Sequence, residues 1–497
     1  MMSEVMGFPY QLRFPSLLSA PLAGGAVPRK LAAVAPPLEP ASTYGWDTMF
    51  AIRATDVNKQ LAKPGVCPVQ FAQSQDGIGL TGIFAAWQIC RGGGGTNLHM
   101  QIPITTGALS YQGQTAALDG AVATVEIKLN YLPAPPSTGT TGKPQKLMVA
   151  TTPQGQSDVV VSVLNLTLPT STGSMVKYLA MGALTEWFNA HLAEFAYIFN
   201  LVDLNAVVDK DAYQWLSPSS VGYAYVDGAT LDDSVFGALC MVQGNSDANL
   251  VPQISQVAIP TASRAGFTVA PSAFLLNMVA PALLLAFPGS GKGDFGLAAD
   301  RQSLVNLHEV NTQTVTNGGI TYQPVVQTLS LTINGAELVL ATLTRTQISP
   351  GIVLYVQNTA YLGIVLDTST GSPKLKWTQS RAPVNEHWMD VAIGIKVVEA
   401  ILAIIAVIII AILGVLTDGA AFIVAAIIVG IVMGLAAATP ELIAAVIGGD
   451  LSDKVPSIDA LALNATSSVT WPGAGVFKPQ FAGLNGSFQF GGDPCFT

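Results

Sequence analysis

Two uncharged runs between residues 391 and 449 constrain the fold of this chain more than any other feature. The first, AILAIIAVIIIAILGVLT, extends from Ala400 to Thr417, and the second, GAAFIVAAIIVGIVMGLAAATP, follows Asp418 and ends before Glu441. Each run is long enough for a membrane-spanning helix, which needs about 20 apolar residues. The runs predict an apolar helix pair that is either buried under a sheet or inserted into a bilayer.

The small and charged residues of this segment leave both arrangements open. Ala425, Ala426, Gly430 and Gly434 favour close helix packing in protein or in lipid. Insertion would place Asp418 in or across the bilayer, at a cost of about 2.5–3.5 kcal/mol at its centre. We therefore favour a buried pair, and the residues expected to make its core or membrane contacts are Ile404, Ile408, Phe422, Ile427 and Val432.

Low charge extends over the whole chain. Charged residues make up 11% of the 497 residues, whereas soluble domains average about 25%. The 438 residues outside 391–449 still carry 49 of the charges. A hydrophobic content of 50% excludes intrinsic disorder. The net charge of −9 leaves no basic excess for phosphates, so we expect no nucleic-acid partner.

Most of the remaining chain has the pattern of β-strands. From Ala121 to Leu132, apolar and polar side chains alternate, which is typical of a half-buried strand. The stretch from Gln327 predicts a long hairpin with Asn334-Gly335 in a type I′ turn. Further strands are predicted at 98–105, 145–151, 158–167, 221–227, 351–357, 360–366 and 374–379.

Two other segments have helical periodicity. The stretch from Val176 to Val202 predicts one long helix, because its apolar residues recur every three or four positions. This stripe consists of Met181, Leu184, Phe188, Leu192, Phe195 and Phe199. A second helix is predicted from Ser272, with a kink before Pro281.

Helices do not alternate regularly with strands, so the order of elements predicts an α+β fold. Residues 1–40 are rich in proline and predict a poorly ordered arm. Two sheet-plus-helix units are predicted at 41–210 and 211–497. The N-terminus lacks a basic region followed by a continuous apolar run, as a signal peptide would have. We therefore expect a cytoplasmic protein, or one released by a non-classical route.

No set of residues in the sequence assembles a catalytic or metal site. Cys67, Cys90, Cys240 and Cys495 are widely spaced and predict free thiols. The four histidines lack a partner histidine at metal-ligand spacing. Gly291-Lys292 is followed by glycine, so the hydroxyl that a phosphate-binding loop needs for magnesium is missing. We expect no enzyme activity, no metal and no cofactor.

Short blocks of sequence resemble a known family. Thr43–Phe50, TYGWDTMF, and the following Asp56–Lys59 resemble the opening of the forty-seven-kilodalton protein family encoded in clostridial neurotoxin gene clusters of the OrfX type. Gly483–Gly486, followed by Phe488 and Gly491-Gly492, is similar to the closing strand of that family. The alternation of Tyr44, Trp46 and Phe50 also fits an ordinary strand core.

The resemblance implies the tubular lipid-binding (TULIP) fold, an elongated body in which strongly curved antiparallel sheets wrap around long apolar helices. It also implies lipid or fatty-acyl binding without catalysis, and protein partners from the same gene cluster. The residues then expected to contact lipid are Leu184, Phe188, Leu192, Phe195, Phe199, Leu276 and Val279. A membrane-inserting protein that uses the 400–440 hairpin is the alternative, and a structural assembly component is a second one.

Overall fold

A computed structural model describes most of the chain. The described residues are 10–13, 39–135, 142–151, 159–168, 173–204, 213–287, 289–369, 373–397, 400–409, 462–463 and 466–496.

These residues form 28 strands, and the two longest lie in the second half of the chain. The first sixteen strands are β1 Tyr10–Arg13, β2 Thr48–Arg53, β3 Gln70–Gln75, β4 Ile78–Phe84, β5 Gln88–Ile89, β6 Gly94–Gly95, β7 Leu98–Tyr111, β8 Gln114–Ala117, β9 Val122–Ile127, β10 Leu129–Pro133, β11 Lys143–Val149, β12 Val161–Thr167, β13 Asn200–Leu204, β14 Pro218–Val226, β15 Val235–Val242 and β16 Ala265–Val269. The others are β17 Phe295–Leu297, β18 Ser303–Asn306, β19 Val310–Asn311, β20 Val315–Asn317, β21 Ile320–Tyr322, β22 Val325–Asn334, β23 Glu337–Ser349, β24 Ile352–Asp367, β25 Lys374–Val391, β26 Val469–Thr470, β27 Lys478–Leu484 and β28 Phe488–Asp493.

The described residues form fewer helices than strands. The α-helices are α1 Ala54–Leu61, α2 Ser174–Ala190, α3 Pro271–Phe274, α4 Ala280–Ala286 and α5 at 400–409. A π-helical turn, Leu275–Val279, joins α3 to α4. Single 3-10 turns lie at Leu192–Glu194, Gln214–Leu216, Gln256–Ala258 and Lys292–Asp294.

The chain divides into two compact units. Unit 1 comprises the described residues of Met1–Pro40, Pro271–Ala460 and Ala482–Phe488, and unit 2 those of Ala41–Ala270, Leu461–Phe481 and Gln489–Thr497. The main boundary between the units therefore lies between residues 270 and 271. The order of elements predicts a boundary between residues 210 and 211. Within the predicted N-terminal arm, β1 is paired with β25.

Unit 2 contains three antiparallel sheets. Their strand orders are β12-β9-β7-β4-β3, with β5 and β8 also on β7; β10-β11-β13-β26; and β27-β28-β16-β2-β15-β14-β6. The predicted strand from Ala121 is in fact two strands, because Lys128 interrupts it between β9 and β10. The alternation nevertheless holds, since Ala123, Val125 and Ile127 are fully buried. At Lys128 the chain therefore leaves the sheet that contains β9 and enters the sheet that contains β10.

The largest sheet of unit 1 has the order β1-β25-β24-β23-β22-β18-β17, with β19 also on β22, and β20 and β21 form a separate two-stranded sheet. The predicted hairpin is confirmed as β22 and β23, but its turn is shifted by one residue. Asn334 pairs with Glu337, so Gly335 and Ala336 form the turn. Gly335 takes a positive φ of 59°, a conformation that glycine adopts without steric cost.

The long helix predicted from Val176 to Val202 is wrong in its C-terminal part. Helix α2 ends at Ala190, and His191 is no longer helical, with φ −117° and ψ 25°. The ring Nδ1 of His191 lies 2.7 Å from the carbonyl oxygen of Trp187, a hydrogen bond that satisfies one of the last helical carbonyls. The chain then makes one 3-10 turn and enters strand β13, so Phe199 precedes a strand.

The predicted kink before Pro281 is found as the π-helical turn Leu275–Val279. Proline has no N–H to donate and its ring crowds the carbonyl one turn earlier. Widening the turn relieves this conflict without ending the helical path. The Asn277 side chain donates a hydrogen bond of 2.8 Å to the carbonyl oxygen of Ala273 in the same segment.

Helix α5 is the described part of the predicted apolar pair. Ile405, Ile408 and Ile409 are buried in a cluster with Leu354 of β24 and Met389 of β25. This part of the pair therefore packs on a sheet, as favoured from the sequence. Within the described residues no helix is long and apolar enough to cross a membrane. Residues 410–461 lie outside the described part of the chain.

Candidate functional site

The Trp46-Asp47 motif has a structural role in unit 2. Asp47 is 4% exposed, and its carboxylate accepts hydrogen bonds from the backbone N–H of Val242 at 3.0 Å and from the Asn245 amide at 2.9 Å. The Trp46 ring lies against Gly222, where an added Cβ would be only 2.8 Å from it. The motif thus fixes the position of strand β14.

The second block of the motif is equally structural. The Asn58 side chain donates to the carbonyl oxygen of Ile89 at 3.0 Å and accepts from its N–H at 2.7 Å. Asp56 is buried and pairs with Lys59 and with Arg264 at 2.8 and 2.9 Å. These contacts fasten helix α1 to neighbouring segments of unit 2.

The predicted lipid-contacting stripe on α2 is divided between two packed cores. Phe188 and Phe195 belong to an aromatic cluster whose members are all at most 4% exposed: Phe71, Phe84, Trp87, Trp187, Phe188 and Phe195. The Phe188 ring stacks on Phe84 at a centroid distance of 5.6 Å and meets Trp87 edge-on at 5.7 Å. Phe199 instead packs against Phe236 at 5.7 Å. Leu184 and Leu192 are also buried.

The other predicted contact residues lie in unit 1 with different exposures. Leu276 is 41% exposed, whereas Val279 is fully buried. On α5, Ile408 is fully buried and Ile404 is partly buried against the same cluster. Phe422, Ile427 and Val432 lie outside the described residues.

A cleft of about 380 Å³ opens in unit 2 where β9 gives way to β10. The described residues that line it are Thr96, Asn97, Lys128, Leu129, Asn130, Tyr131, Ala150, Val159, Val160, Val221, Gly222, Tyr223 and Pro252. The break at Lys128 forms this cleft, because it separates two sheets that a continuous strand would join. None of the predicted stripe residues is among the described residues that line it.

Two tyrosines supply hydrogen-bonding groups around the cleft. The Tyr223 hydroxyl accepts from the Leu129 N–H at 3.1 Å and lies 2.9 Å from the carbonyl oxygen of Thr96. Burial raises the pKa of Tyr223 to about 12. The Tyr131 hydroxyl donates to Asn200 Oδ1 at 2.8 Å, and burial raises its pKa as well. Both phenols therefore stay neutral at physiological pH.

The described lining of the cleft combines apolar side chains with hydrogen-bonding groups. Its described lining includes apolar groups from Val159, Val160, Val221 and Pro252, and one lysine, Lys128, which is exposed. No carboxylate, histidine or thiol is among these described lining residues. A general base for a nucleophile must lie within hydrogen-bond reach, and this lining supplies no histidine or carboxylate for that role.

A second, more open groove of about 420 Å³ lies beside α2 in unit 2. Strands β3 and β4 form one wall, and Trp187, His191 and Glu194 form the other. Gln73 of β3 reaches across to Glu186 with a hydrogen bond of 3.0 Å. This groove borders the aromatic cluster but does not enter it.

The remaining reactive groups are held in unreactive states. All four cysteines are free, as predicted. Burial raises the pKa of Cys67 to about 12, of Cys90 to about 11 and of Cys240 to about 12, so these thiols remain protonated and poorly nucleophilic. Among the described residues, no three His, Cys, Asp or Glu side chains are placed to hold a metal ion.

Fold and cleft together define a class: a β-rich α+β protein of antiparallel sheets, with a cleft of about 380 Å³ in one unit. Comparison with known sequences then identifies the family. Residues 43–492 match the OrfX-like family, described as Protein OrfX2/OrfX3/P47. The chain belongs to this family, which confirms the resemblance found in the sequence.

Two OrfX3 relatives match over nearly their whole length. Protein OrfX3 of Paraclostridium bifermentans is 26% identical over 91% of this chain and 98% of its own. Protein OrfX3 of Clostridium botulinum strain Kyoto, type A2, is 25% identical with the same coverage. Among solved structures, P47 of Clostridium botulinum A2 superposes with a TM-score of 0.60 at 16% identity, over 91% of this chain and 98% of that one. P47 of type E1 gives 0.57 at 17% identity, over 90% and 99%. These structures share the fold.

Proposed function

We propose that this protein is a non-catalytic binding protein for a lipid or another apolar ligand. The cleft of about 380 Å³ carries the proposal, since ligand sites typically measure about 300–1,000 Å³ and combine apolar walls with a few polar groups. Valine and proline side chains supply apolar wall, and Tyr131 and Tyr223, whose phenols are neutral, also line the cleft. Burial of each methylene of an acyl chain would contribute about 0.8 kcal/mol.

The same proposal includes the finer fold implied by the resemblance. We expect the antiparallel sheets to be curved around apolar helices, as in the tubular lipid-binding (TULIP) superfamily. Antiparallel sheets with one apolar face need an apolar cover, and α5 covers part of the face formed by β24 and β25. In such a fold the cover is a helix, a ligand, or both.

We further propose an accessory role in a toxin gene cluster, with protein partners encoded in the same cluster. Support comes from membership of the OrfX-like family over residues 43–492. A cytoplasmic location, or release by a non-classical route, is part of this proposal. Membrane insertion by the 400–440 hairpin stays a prediction, because most of that hairpin lies outside the described residues.

Lipid uptake before and after closing the cleft tests the proposal. Val159 lies at the rim and is 43% exposed, so Val159→Trp should fill the mouth without disturbing the core. The full chain would be incubated with dispersions of monooleoylglycerol and of oleate, and bound lipid counted by native mass spectrometry. We expect the wild-type protein to retain oleate and Val159→Trp to retain at least tenfold less oleate.

A matched substitution separates this effect from general surface change. Val476 is 79% exposed and also belongs to unit 2, but it does not line the cleft. Val476→Trp should leave lipid uptake unchanged. Equal uptake by Val159→Trp and the wild-type protein would reject the cleft as the site, and a wild-type protein without bound lipid would reject lipid binding itself.

A further inference from the structure

One face of the unit 1 sheet carries buried polar side chains that have no hydrogen-bond partner. Thr342, Thr344 and Thr346 follow one another at every second residue of β23, so they share one face. Asn358 of β24 lies directly opposite Thr342, and Asn385 of β25 lies directly opposite Asn358. We call these five residues the polar patch.

Burial of the polar patch is close to complete at its centre. Thr342 is 3% exposed, Thr344 and Asn358 are 0% exposed and Thr346 is 1% exposed. The three hydroxyls, both amide atoms of Asn358 and the Asn385 carbonyl oxygen are all buried without a hydrogen-bond partner. Native proteins leave few such groups unsatisfied, because each forfeits its hydrogen bonds to water on folding. Several in one patch indicate a missing partner.

The surroundings of the polar patch are apolar. On one side, Leu354, Val356 and Met389 belong to the cluster that α5 closes with Ile405 and Ile408. On the other side, the same face continues through Leu340, Leu338, Ala360, Leu362 and Ile364, which are all at most 6% exposed. From Asn358 to Ile364 the strand advances about 20 Å, at about 3.3 Å per residue.

The rows of the sheet that run through the polar patch carry no formal charge. They pair Thr342 with Asn358 and Asn385, Thr344 with Val356 and His387, and Thr346 with Leu354 and Met389. Burial lowers the pKa of His387, so its imidazole is neutral at neutral pH. The patch therefore offers both donors and acceptors but no charge to neutralise an anion.

We propose that the polar patch of unit 1 is a second binding site, which hydrogen-bonds the uncharged head of a neutral amphiphile while the apolar face beyond Ala360 takes its chain. A hydroxyl- or ester-bearing head both donates and accepts, which matches threonine hydroxyls and asparagine amides. A carboxylate or phosphate would be buried there without a counter-charge. The choice of an amphiphile rests on the proposed function, but the site and its preference for a neutral head do not depend on the cleft.

The test compares probes that differ in the charge of the head. The full chain would be incubated separately with monooleoylglycerol, oleate and dioleoylphosphatidylglycerol, and bound lipid counted by native mass spectrometry. Because the cleft is also proposed to hold lipid, the measurement uses the Val159→Trp protein as background. We expect at least tenfold more monooleoylglycerol than either anionic probe at this second site.

A triple substitution then removes the hydroxyls without changing shape. Thr342→Val/Thr344→Val/Thr346→Val keeps β-branched side chains in the strand, and the expected result is at least a tenfold loss of monooleoylglycerol. The control is Thr359→Val, which lies on the opposite face of β24 and is only half-buried. It should bind as the background protein does.

Outcomes separate the polar patch from the cleft. Unchanged uptake by the triple variant, or a preference for oleate, would overturn the patch while leaving lipid binding by the cleft intact. The patch would also be overturned if Val159→Trp alone removed all bound monooleoylglycerol and the triple substitution in the otherwise wild-type protein removed none. Uptake of no probe by the wild-type protein would overturn both proposals.

A monoacylglycerol carrying a photoreactive diazirine gives an independent readout of the site. Labelled peptides from β23 and β24 are expected, and labels confined to other strands would contradict the site.

Discussion

The aromatic cluster of unit 2 and the polar patch of unit 1 are buried to the same degree but differ in what burial achieves. In the cluster, Phe188 contacts Phe84, Trp87 and Phe195 at 5.6 to 6.2 Å, and most of the rings have no polar group to satisfy. In the polar patch, hydroxyls and amides lose water and gain no described partner. The cluster is therefore a closed core, whereas the patch has unused binding capacity.

This difference reverses the site expected from the sequence. The apolar stripe of α2 is predicted to contact lipid, yet its aromatic members lie in closed ring packing. The threonines of β23 do not predict a site from the sequence, because threonine is common on the outer face of strands. Several buried polar groups without partners on one face, rather than apolar character, distinguish the polar patch from the aromatic cluster, where Trp87 Nε1 is the one such atom among the described residues.

The largest expected effect tests the closed core. Phe188→Ala should lower the free energy of unfolding by about 3–5 kcal/mol, since it removes a fully buried ring and leaves a cavity. Tyr178→Ala on the same helix should change it by less than about 0.5 kcal/mol, because Tyr178 is 69% exposed. Urea unfolding followed by circular dichroism measures both. Equal, small losses would mean that the cluster is not tightly packed.

Replacing a buried polar group that has hydrogen-bond partners should lower the free energy of unfolding, whereas replacing a hydroxyl of the polar patch should not. Asp47→Ala leaves the Val242 N–H buried without an acceptor, so we expect a loss of about 2–3 kcal/mol in the free energy of unfolding. Asp47→Asn retains an acceptor oxygen and should lose less than half as much. Equal free energies of unfolding for Asp47→Ala and Asp47→Asn would contradict this role of the Asp47 carboxylate.

Alkaline pH should weaken unit 2, which holds all four cysteines. Burial raises the pKa of Cys240 from its usual 9.0 to about 12, so the protonated thiol stabilises the folded state below pH 9. That stability is lost as the pH rises from 9 through 12, because the unfolded chain ionises first. Between pH 8 and pH 10 we expect Cys240 to lower the free energy of unfolding by about 1 kcal/mol.

Cys240→Ser is not a clean control, since it buries a hydroxyl, so Cys240→Ala is preferred. Its urea midpoint should depend less on pH between 8 and 10 than that of the wild-type protein. A pH dependence identical to that of the wild-type protein would show that Cys240 titrates normally in the folded state.

The smallest expected effect concerns the polar patch without ligand. Thr342→Val replaces an unsatisfied hydroxyl by a methyl group of similar shape, so the free energy of unfolding should be unchanged or rise by about 1 kcal/mol. Thermal unfolding of delipidated protein measures it. A clear loss of stability would indicate that the hydroxyl has a partner after all, and would remove the reason for a ligand there.

Much of the fold follows from local pattern. The alternation in β9 and β22–β23 places the buried side chains correctly, since a strand turns successive residues to opposite faces. The start of α2 and the irregularity before Pro281 also follow from local chemistry. The end of α2 does not, because apolar spacing continues through Phe199 although the helix ends at Ala190.

The candidate sites were less accessible to sequence reasoning. The break at Lys128 has no signal in the sequence, because this lysine occupies a polar position in a regular apolar–polar alternation. Which strands border that break is a long-range matter, as Tyr223 and Leu129 are 94 residues apart. The polar patch required the register of three strands before its members could be seen to share a face.

Sequence alone determined the β-rich α+β class, the free thiols, the family and the low charge of the whole chain, because these depend on composition, local periodicity and short motifs. Only the tertiary structure decided that the α2 stripe is closed core, that a cleft opens at Lys128 and that Thr342, Asn358 and Asn385 form one buried row. The physical reason is that burial and hydrogen-bond satisfaction depend on which distant strands become neighbours, and no local pattern specifies that pairing.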